Sequence, residues 1–127
     1  MKKWELSTPE GDYRVHSLAI LVGDDLLICL WGGTQPHIGA VAVALPRQSL
    51  ADPLSTSSTS SVFTLLGHKE DTVAKMVSER LSARLNRNVV VSAGMHWDQV
   101  DDDAIAEIVD NCLQLADGIG EVVEKEA

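Results

Sequence analysis

Three of the four histidines in this chain stand close to glycine, and they are the residues whose type and placement could do chemistry. They are His37, His68 and His96, within the segments GGTQPHIG, GHK and GMHWD. Imidazole changes its charge near neutral pH and is a common metal ligand. Glycine allows a positive φ or a close approach of the backbone to a bound group. If the fold gathers the three imidazoles, they could bind an anion or a metal ion.

Hydrophobic periodicity and turn signals predict the elements that must position these histidines. Strands are expected at 13–22, 26–31, 38–45 and 62–66, a helix over 69–86, a strand over 89–93 and a helix after 101–103. A further short strand is expected near Trp4, and the Ser/Thr-rich segment 55–61 is expected to merge into the fourth strand. The order is β-β-β-β-α-β-α. We therefore predict an α+β fold: one domain over 1–127, with a mostly antiparallel five- to six-stranded sheet and two helices packed on one face.

Chain direction predicts that the three histidines share one rim of the sheet. The first four strands are most simply an antiparallel meander. The helical crossover then returns the fifth strand parallel to the fourth. His37 precedes the third strand, whereas His68 and His96 follow the fourth and fifth. All three positions consequently fall at the same end of the sheet.

Residues 67–69 also open the first predicted helix, where free amides and the helix dipole favour an anion. Lys69 adds a positive charge there. The candidate ligand-binding residues are His37, Gly67, His68, Lys69 and His96. A phosphate or carboxylate is the ligand that this set predicts.

Two alternatives for the histidines stay open. Three imidazoles with an open position suit zinc, although the chain has no HxH or HExxH spacing and no metal is expected. Each histidine could instead serve the structure by capping a turn or pairing with a carboxylate, as His96 could with Asp98. No catalytic nucleophile is evident, because neither cysteine falls at the histidine rim and no GxSxG segment is present.

Composition excludes several classes of function. The net charge of −9 argues against nucleic acid, which requires clustered Lys and Arg. No apolar run approaches the ~20 residues of a membrane span, and the first residues do not resemble a signal peptide. We therefore expect a cytoplasmic protein without membrane contact. Cys29 and Cys112 are expected to be free thiols.

Continuous apolar runs predict that the protein is a homodimer. Residues 18–22, 26–31 and 89–91 are apolar at every position, which is typical of strands buried on both faces. Two helices cover one face of the sheet, and a second copy is the economical cover for the other.

The segments around the three histidines, read in order, resemble the prenylated flavin chaperone LpdD-like family. These segments are GGxxPHIGAVA from Gly32, GHKE from Gly67 and AGMHxD from Ala93. This family comprises small proteins that accompany UbiD-type non-oxidative decarboxylases, and it is grouped with relatives of the proteasome assembly chaperones. The resemblance covers most of the chain, from about Tyr13 to the second helix.

The resemblance implies a non-catalytic accessory role and an α+β fold that is often dimeric. Such a protein would bind prenylated FMN or assist the maturation of a UbiD-type decarboxylase. Two other functions stay open: an assembly chaperone that acts only through protein contacts, and a metal-dependent enzyme that uses His37, His68 and His96.

Overall fold

The computed structural model describes residues 1–65 and 70–127, which form one six-stranded sheet and two helices. In chain order the elements are β1 (Lys3–Ser7), β2 (Val15–Val22), β3 (Asp25–Gly33), β4 (Ala40–Gln48), β5 (Thr56–Thr64), α1 (Glu70–Leu85), β6 (Val89–His96) and α2 (Asp102–Glu126). The predicted α+β class, the short first strand and the merging of the Ser/Thr-rich segment into a strand are confirmed. No helix in the described part of the chain is long and apolar enough to cross a membrane.

The strand order is β1-β2-β3-β6-β4-β5, so the expected meander of neighbouring strands is wrong. The last strand, β6, is inserted between β3 and β4 and pairs parallel with β3 and antiparallel with β4. Burial explains this placement, because Val89, Val91 and Ala93 are fully buried and a central position covers the strand on both sides. The predicted strand directions are unaffected, since β5 and β6 still run the same way.

The core lies between one face of the sheet and the two helices. Helix α1 packs on β4, β5 and β6, whereas α2 packs on β1, β2 and α1. The strands below α1 present small buried residues, such as Ala42 and Ala44, and this allows the helix to approach closely. The larger core side chains include Leu30, Leu81 and Ile119.

Helix α2 begins at an N-cap and continues to Glu126. The Asp101 side chain accepts a hydrogen bond from the Ala104 amide at 2.8 Å, which satisfies one of the free amides of the first turn. Gly118 and Gly120 lie within the last turns of α2, and each has a neighbouring side chain close to the position of a Cβ. A Cβ at Gly120 would lie 2.7 Å from the Arg84 guanidinium, which bonds to Glu124.

The face of the sheet opposite the helices, called here the open face, carries many apolar side chains. The partners in the strand register place on it Leu18, Ile20, Leu27, Cys29, Trp31, Val41, Val43, Leu45, Phe63 and Val90. Leu27, Val43 and Phe63 are 42%, 42% and 76% exposed. The open face is therefore apolar and accessible in the single chain.

Candidate functional site

The end of β6 and the segment before β4 meet at one rim of the sheet, as chain direction predicts. Ala40 of β4 lies opposite Ala93 of β6, and this register places His37 next to the end of β6. A Cβ at Gly94 would lie 1.5 Å from the His37 carbonyl oxygen, so only glycine allows this approach. The rim thus brings His37 and His96 together. Gly67, His68 and Lys69 lie outside the described residues.

The loop after β3 closes over the same rim. Gly33 has a φ of +80°, a backbone conformation that favours glycine. The Thr34 amide then donates a hydrogen bond of 2.8 Å to the His96 carbonyl oxygen. Two chain segments, the one before β4 and the loop after β3, are consequently held to the end of β6 by backbone contacts.

His37 faces a buried carboxylate at the start of α1. Its Nε2 lies 3.1 Å from Oε1 of Glu70, and its Nδ1 lies 2.9 Å from the Gln35 carbonyl oxygen. The Glu70 side chain is only 6% exposed, whereas that of His37 is 28% exposed. An acidic residue in the first turn of a helix usually faces solvent, where it interacts with the helix dipole. Glu70 is instead part of the interior of the rim.

Gly39 makes room for this carboxylate. A Cβ at Gly39 would lie 2.8 Å from Cδ of Glu70 and 2.9 Å from its Oε2. Oε2 has no hydrogen-bond partner among the residues that the structure describes. A buried acceptor without a partner costs free energy, and such groups are rare in folded proteins. Glu70 is therefore the most unusual polar group of the rim.

His96 pairs with a different carboxylate and is more accessible. Its Nε2 lies 3.2 Å from Oδ1 of Asp98, as the sequence allows, and the two side chains are 38% and 81% exposed. The two described histidines of the rim thus pair with separate acids. Within 1–65 and 70–127, no three His, Cys, Asp or Glu side chains are grouped as a metal site requires.

A cavity of about 400 Å³ opens beside this rim, between the end of β6 and the two helices. Its volume lies within the range of about 300–1,000 Å³ that is typical of small-molecule sites. Its wall is largely apolar and includes Val73, Met95, Trp97, Ile105 and Ile108, together with Glu70 and His96. The Trp97 ring contacts Tyr13 edge to face, with centroids 5.7 Å apart. Packing therefore fixes this ring in the cavity wall.

The described part of the rim carries two carboxylates beside its histidines. Glu70 and Asp98 stand beside the two histidines, and carboxylate oxygens disfavour an anion. The cation and the amides predicted to bind phosphate belong to residues 67–69, which are outside the described part. The described residues offer hydrogen-bond acceptors and apolar contact instead.

Sequence reasoning missed Glu70 and the cavity. Glu70 belongs to the GHKE segment, but its spacing gives no sign that a glycine 31 positions earlier admits its carboxylate. The available signal was Gly39, which stands two residues after His37 and directly before β4. The fourth histidine, His16, stacks on Trp31 on the open face.

The two cysteines lie away from the rim. Cys112 faces the core from α2, and burial raises the pKa of its thiol to about 12. Cys29 lies in β3 and is partly exposed on the open face. Because a nucleophilic cysteine needs an accessible thiolate, Cys112 is unsuited to that chemistry.

Similar proteins agree with the fold and the sequence segments. The model of the prenylated flavin chaperone LpdD-like domain matches residues 9–124. Protein LpdD of Lactiplantibacillus plantarum is 28% identical over 100 residues, which cover 79% of this chain and 70% of that protein. Human proteasome assembly chaperone 4 is 29% identical over 114 residues, covering 82% and 85% of the two chains.

A solved structure also shares the fold. A chain from the crystal structure of a chaperone complex for yeast 20S proteasome assembly superposes with a TM-score of 0.59 at 16% identity, covering 99% of this chain and 98% of that one. The family match spans nearly the whole domain and includes both described histidine segments. The chain belongs to the prenylated flavin chaperone LpdD-like family.

Proposed function

We propose that this protein is a non-catalytic accessory chaperone that acts as a homodimer and assists the maturation of a UbiD-type decarboxylase. Membership of a family described as chaperones supports the accessory role. The observation that carries the proposal is the apolar open face, because monomeric proteins rarely leave a large apolar surface in water. Protein contact is the use that such a surface favours.

The arrangement of side chains on the open face supports a dimer interface there. Phe63 of β5 stands opposite Val41 of β4, and Val43 stands opposite Val90 of β6, so apolar side chains adjoin across three strands. Two such faces packed together would bury these side chains, as inner faces do in a β-sandwich. A two-fold axis would make the contact self-complementary.

Co-purification tests this proposal. A tagged chain is co-expressed with a UbiD-type decarboxylase, with and without a flavin prenyltransferase. We expect the decarboxylase to be recovered in both conditions. In Val43→Arg the charge stands on the open face, so dimerisation and recovery of the decarboxylase should fall together. Leu54→Arg is the matched control, because Leu54 is 97% exposed in the β4–β5 turn.

Two results would contradict the proposal. If the decarboxylase is recovered only when the prenyltransferase is present, the chain carries cofactor rather than acting through protein contact alone. If Val43→Arg becomes monomeric but recovers as much decarboxylase as Leu54→Arg, the dimer is not the form that acts.

Binding of prenylated FMN at His37, Gly67, His68, Lys69 and His96 stays a prediction of the sequence. The family description is consistent with it, whereas the described carboxylates of the rim are not. Flavin fluorescence titration tests whether these residues bind prenylated FMN. His68→Ala and Lys69→Glu should weaken binding if the prediction is right, while Lys125→Glu, an exposed change at the end of α2, should not. Equal affinity in all of these variants would remove the site.

A further inference from the structure

Strand β5 forms one edge of the sheet, and it lacks the features that usually protect an edge strand. It is last in the strand order and, among the described strands, pairs with β4 alone, over nine consecutive positions without a bulge. Its sequence, TSSTSSVFT, contains no charged residue, glycine or proline, and none of its residues is buried. Edge strands are normally kept from pairing with other chains by charge, proline, a bulge or a short length. β5 has none of these protections.

The hydrogen bonds at the two ends of the β4–β5 hairpin show which backbone groups face this edge. The Ser49 amide donates to the Ser55 carbonyl oxygen at 3.0 Å, and the Leu65 amide donates to the Gly39 carbonyl oxygen at 2.8 Å. Odd-numbered residues therefore direct their backbone groups across the hairpin. Because this direction alternates along an antiparallel strand, the even-numbered residues of β5 direct theirs outward. These residues are Thr56, Ser58, Ser60, Val62 and Thr64. No hydrogen bond within the described residues reaches their amides or carbonyl oxygens.

The opposite edge of the sheet, β1, is protected. It has only five residues, and two of them, Lys3 and Glu5, are exposed charges. Trp4 Nε1 donates to Oε2 of Glu126 at 3.2 Å, so the end of α2 lies beside this strand. Of the two edges, β5 is therefore the one that is available for pairing with another chain.

A second cavity, of about 240 Å³, adjoins the edge between the end of β5 and helix α1. Its wall comprises Val62, Thr64, Asp71, Thr72 and Lys75. The even-numbered side chains of β5 lie on the helix side of the sheet, as Ser58 shows by donating to the Glu79 carbonyl oxygen at 2.8 Å. In a strand added to β5, the residues that bond to these positions would also direct their side chains to the helix side. A free edge bordered by such a cavity is the arrangement by which domains bind peptides as an added strand.

We infer that the edge of β5 binds an extended segment of another protein, which pairs as a seventh strand and directs alternate side chains toward the second cavity. The segment is uncharged where it pairs, because β5 offers no charged side chain as a partner. It is basic at its flanks, because this chain has a net charge of −9. A second copy would bring the same negative charge to an edge that offers little apolar area to offset the repulsion. The edge lies beside the open face, so this inference and the proposed dimer can fail independently.

The probe is a fluorescein-labelled peptide of alternating threonine and valine between terminal lysines, and fluorescence anisotropy measures its affinity. A strand has two hydrogen-bonding edges, and β5 needs only one of them. Peptides with N-methyl groups on the threonines alone or on the valines alone keep one edge, so at least one of them should bind like the unmethylated peptide. Methylation of both sets removes both edges and should weaken binding at least about tenfold. Replacing the terminal lysines by glutamates should also weaken binding.

Two variants of one residue place the binding at the edge. Ser60→Pro and Ser60→Ala both lose the hydroxyl that donates to Glu79 at 3.2 Å, but only proline removes the outward amide, which does not belong to the ladder with β4. We expect Ser60→Pro to bind the peptide at least about tenfold more weakly than Ser60→Ala. In the wild type, hydrogen exchange at the Ser58 and Val62 amides should slow when the peptide binds. Melting curves check folding, and if Ser60→Pro does not fold, the peptide series and the exchange measurement still decide.

Four results would overturn the inference. The first is equal affinity for the unmethylated and the fully methylated peptide, including the absence of binding by either. The second is equal affinity of folded Ser60→Pro and Ser60→Ala for the unmethylated peptide. The third is slowed exchange on β1 or the open face in place of Ser58 and Val62. The fourth is a fall in the oligomeric mass of the protein when the peptide is added, which would assign the edge to a second copy.

Discussion

Nε2 of His37 lies 3.1 Å from Oε1 of Glu70 and thereby joins the segment before β4 to the first residue of α1. The pair connects the segment before β4 to helix α1, which itself packs on β4. It therefore holds the rim of the sheet to the helix. Gly39 is the residue that permits the contact, since any Cβ there would meet the carboxylate. The burial of the Glu70 carboxylate at the rim is a consequence of this one approach.

Removal of His37 should destabilise the fold more than removal of His96. His37→Ala removes the His37 contact of Oε1 of the buried Glu70 carboxylate, which costs about 1–3 kcal/mol. His96→Ala breaks only an exposed pair with Asp98, and such pairs contribute about 0–1 kcal/mol. The free energies of unfolding are measured by urea denaturation.

A double variant checks that the Glu70 carboxylate is the cause. In His37→Ala/Glu70→Met the buried acceptor is gone, so the loss should be smaller than the sum of the two single losses. Additive losses would show that the two side chains act independently, contrary to the structure.

Gly94→Ala should disrupt the rim. The added Cβ would lie 1.5 Å from the His37 carbonyl oxygen, so the backbone of one strand has to move. We expect a loss of at least about 3 kcal/mol in the free energy of unfolding. Gly11→Ala is the matched control, because nothing lies within 4 Å of a Cβ there. A melting temperature for Gly94→Ala that equals that of Gly11→Ala would refute the close approach at the rim.

Strand directions could be predicted from the sequence, but strand order could not. The crossover rule fixes β5 and β6 as parallel in direction, and this suffices to place His37 and His96 at one rim. The insertion of β6 between β3 and β4 depends on which strand is buried on both sides. Residues 89–91 are apolar at every position, which is typical of such a strand. Residues 18–22 and 26–31 are equally apolar, so the sequence does not determine which strand is central.

The histidines of the rim could be predicted, whereas their partners could only partly be found. Asp98 lies two residues from His96, and a local pair of this kind is visible in the sequence. Glu70 meets His37 across 33 positions because Gly39 has no side chain, which is a tertiary relationship. In the same way, Gly120 suggests from the sequence a weak helix end. The structure places the Arg84 guanidinium against this glycine, which the sequence does not indicate.

The two thiols should differ in reactivity. Burial raises the pKa of Cys112 from 9.0 to about 12, so at pH 8 it holds about a thousandfold less thiolate than an unfolded thiol. Iodoacetamide should therefore modify Cys29 first and Cys112 only on unfolding, as followed by mass spectrometry. Modification of Cys112 as fast as Cys29 in the native protein would contradict this placement.

The same thiol makes stability fall at high pH. Its pKa is raised in the folded state, so the stabilisation is complete below pH 9, where both states hold the proton. Above pH 9 the unfolded state loses its proton first, and stability declines until about pH 12. Cys112→Ala should weaken this dependence between pH 9 and 11 in urea titrations. If the free energy of unfolding of Cys112→Ala falls with pH as steeply as that of the wild type, the Cys112 thiol does not cause the decline.

Dimerisation through the open face should be sensitive to a single charge. Val43→Arg is expected to convert a dimer to a monomer in light scattering after gel filtration, since burying an unpaired charge is unfavourable. Cys29, on the same face, should become more reactive in that variant. A dimer of unchanged mass in Val43→Arg would place the interface elsewhere.

Native mass spectrometry of the chain co-expressed with a UbiD-type decarboxylase and a flavin prenyltransferase reports ligands and partners in one experiment. We expect a complex that contains the decarboxylase and two copies of this chain, and that forms equally when the prenyltransferase is omitted. A chain found only alone, with or without the mass of a flavin, would contradict it.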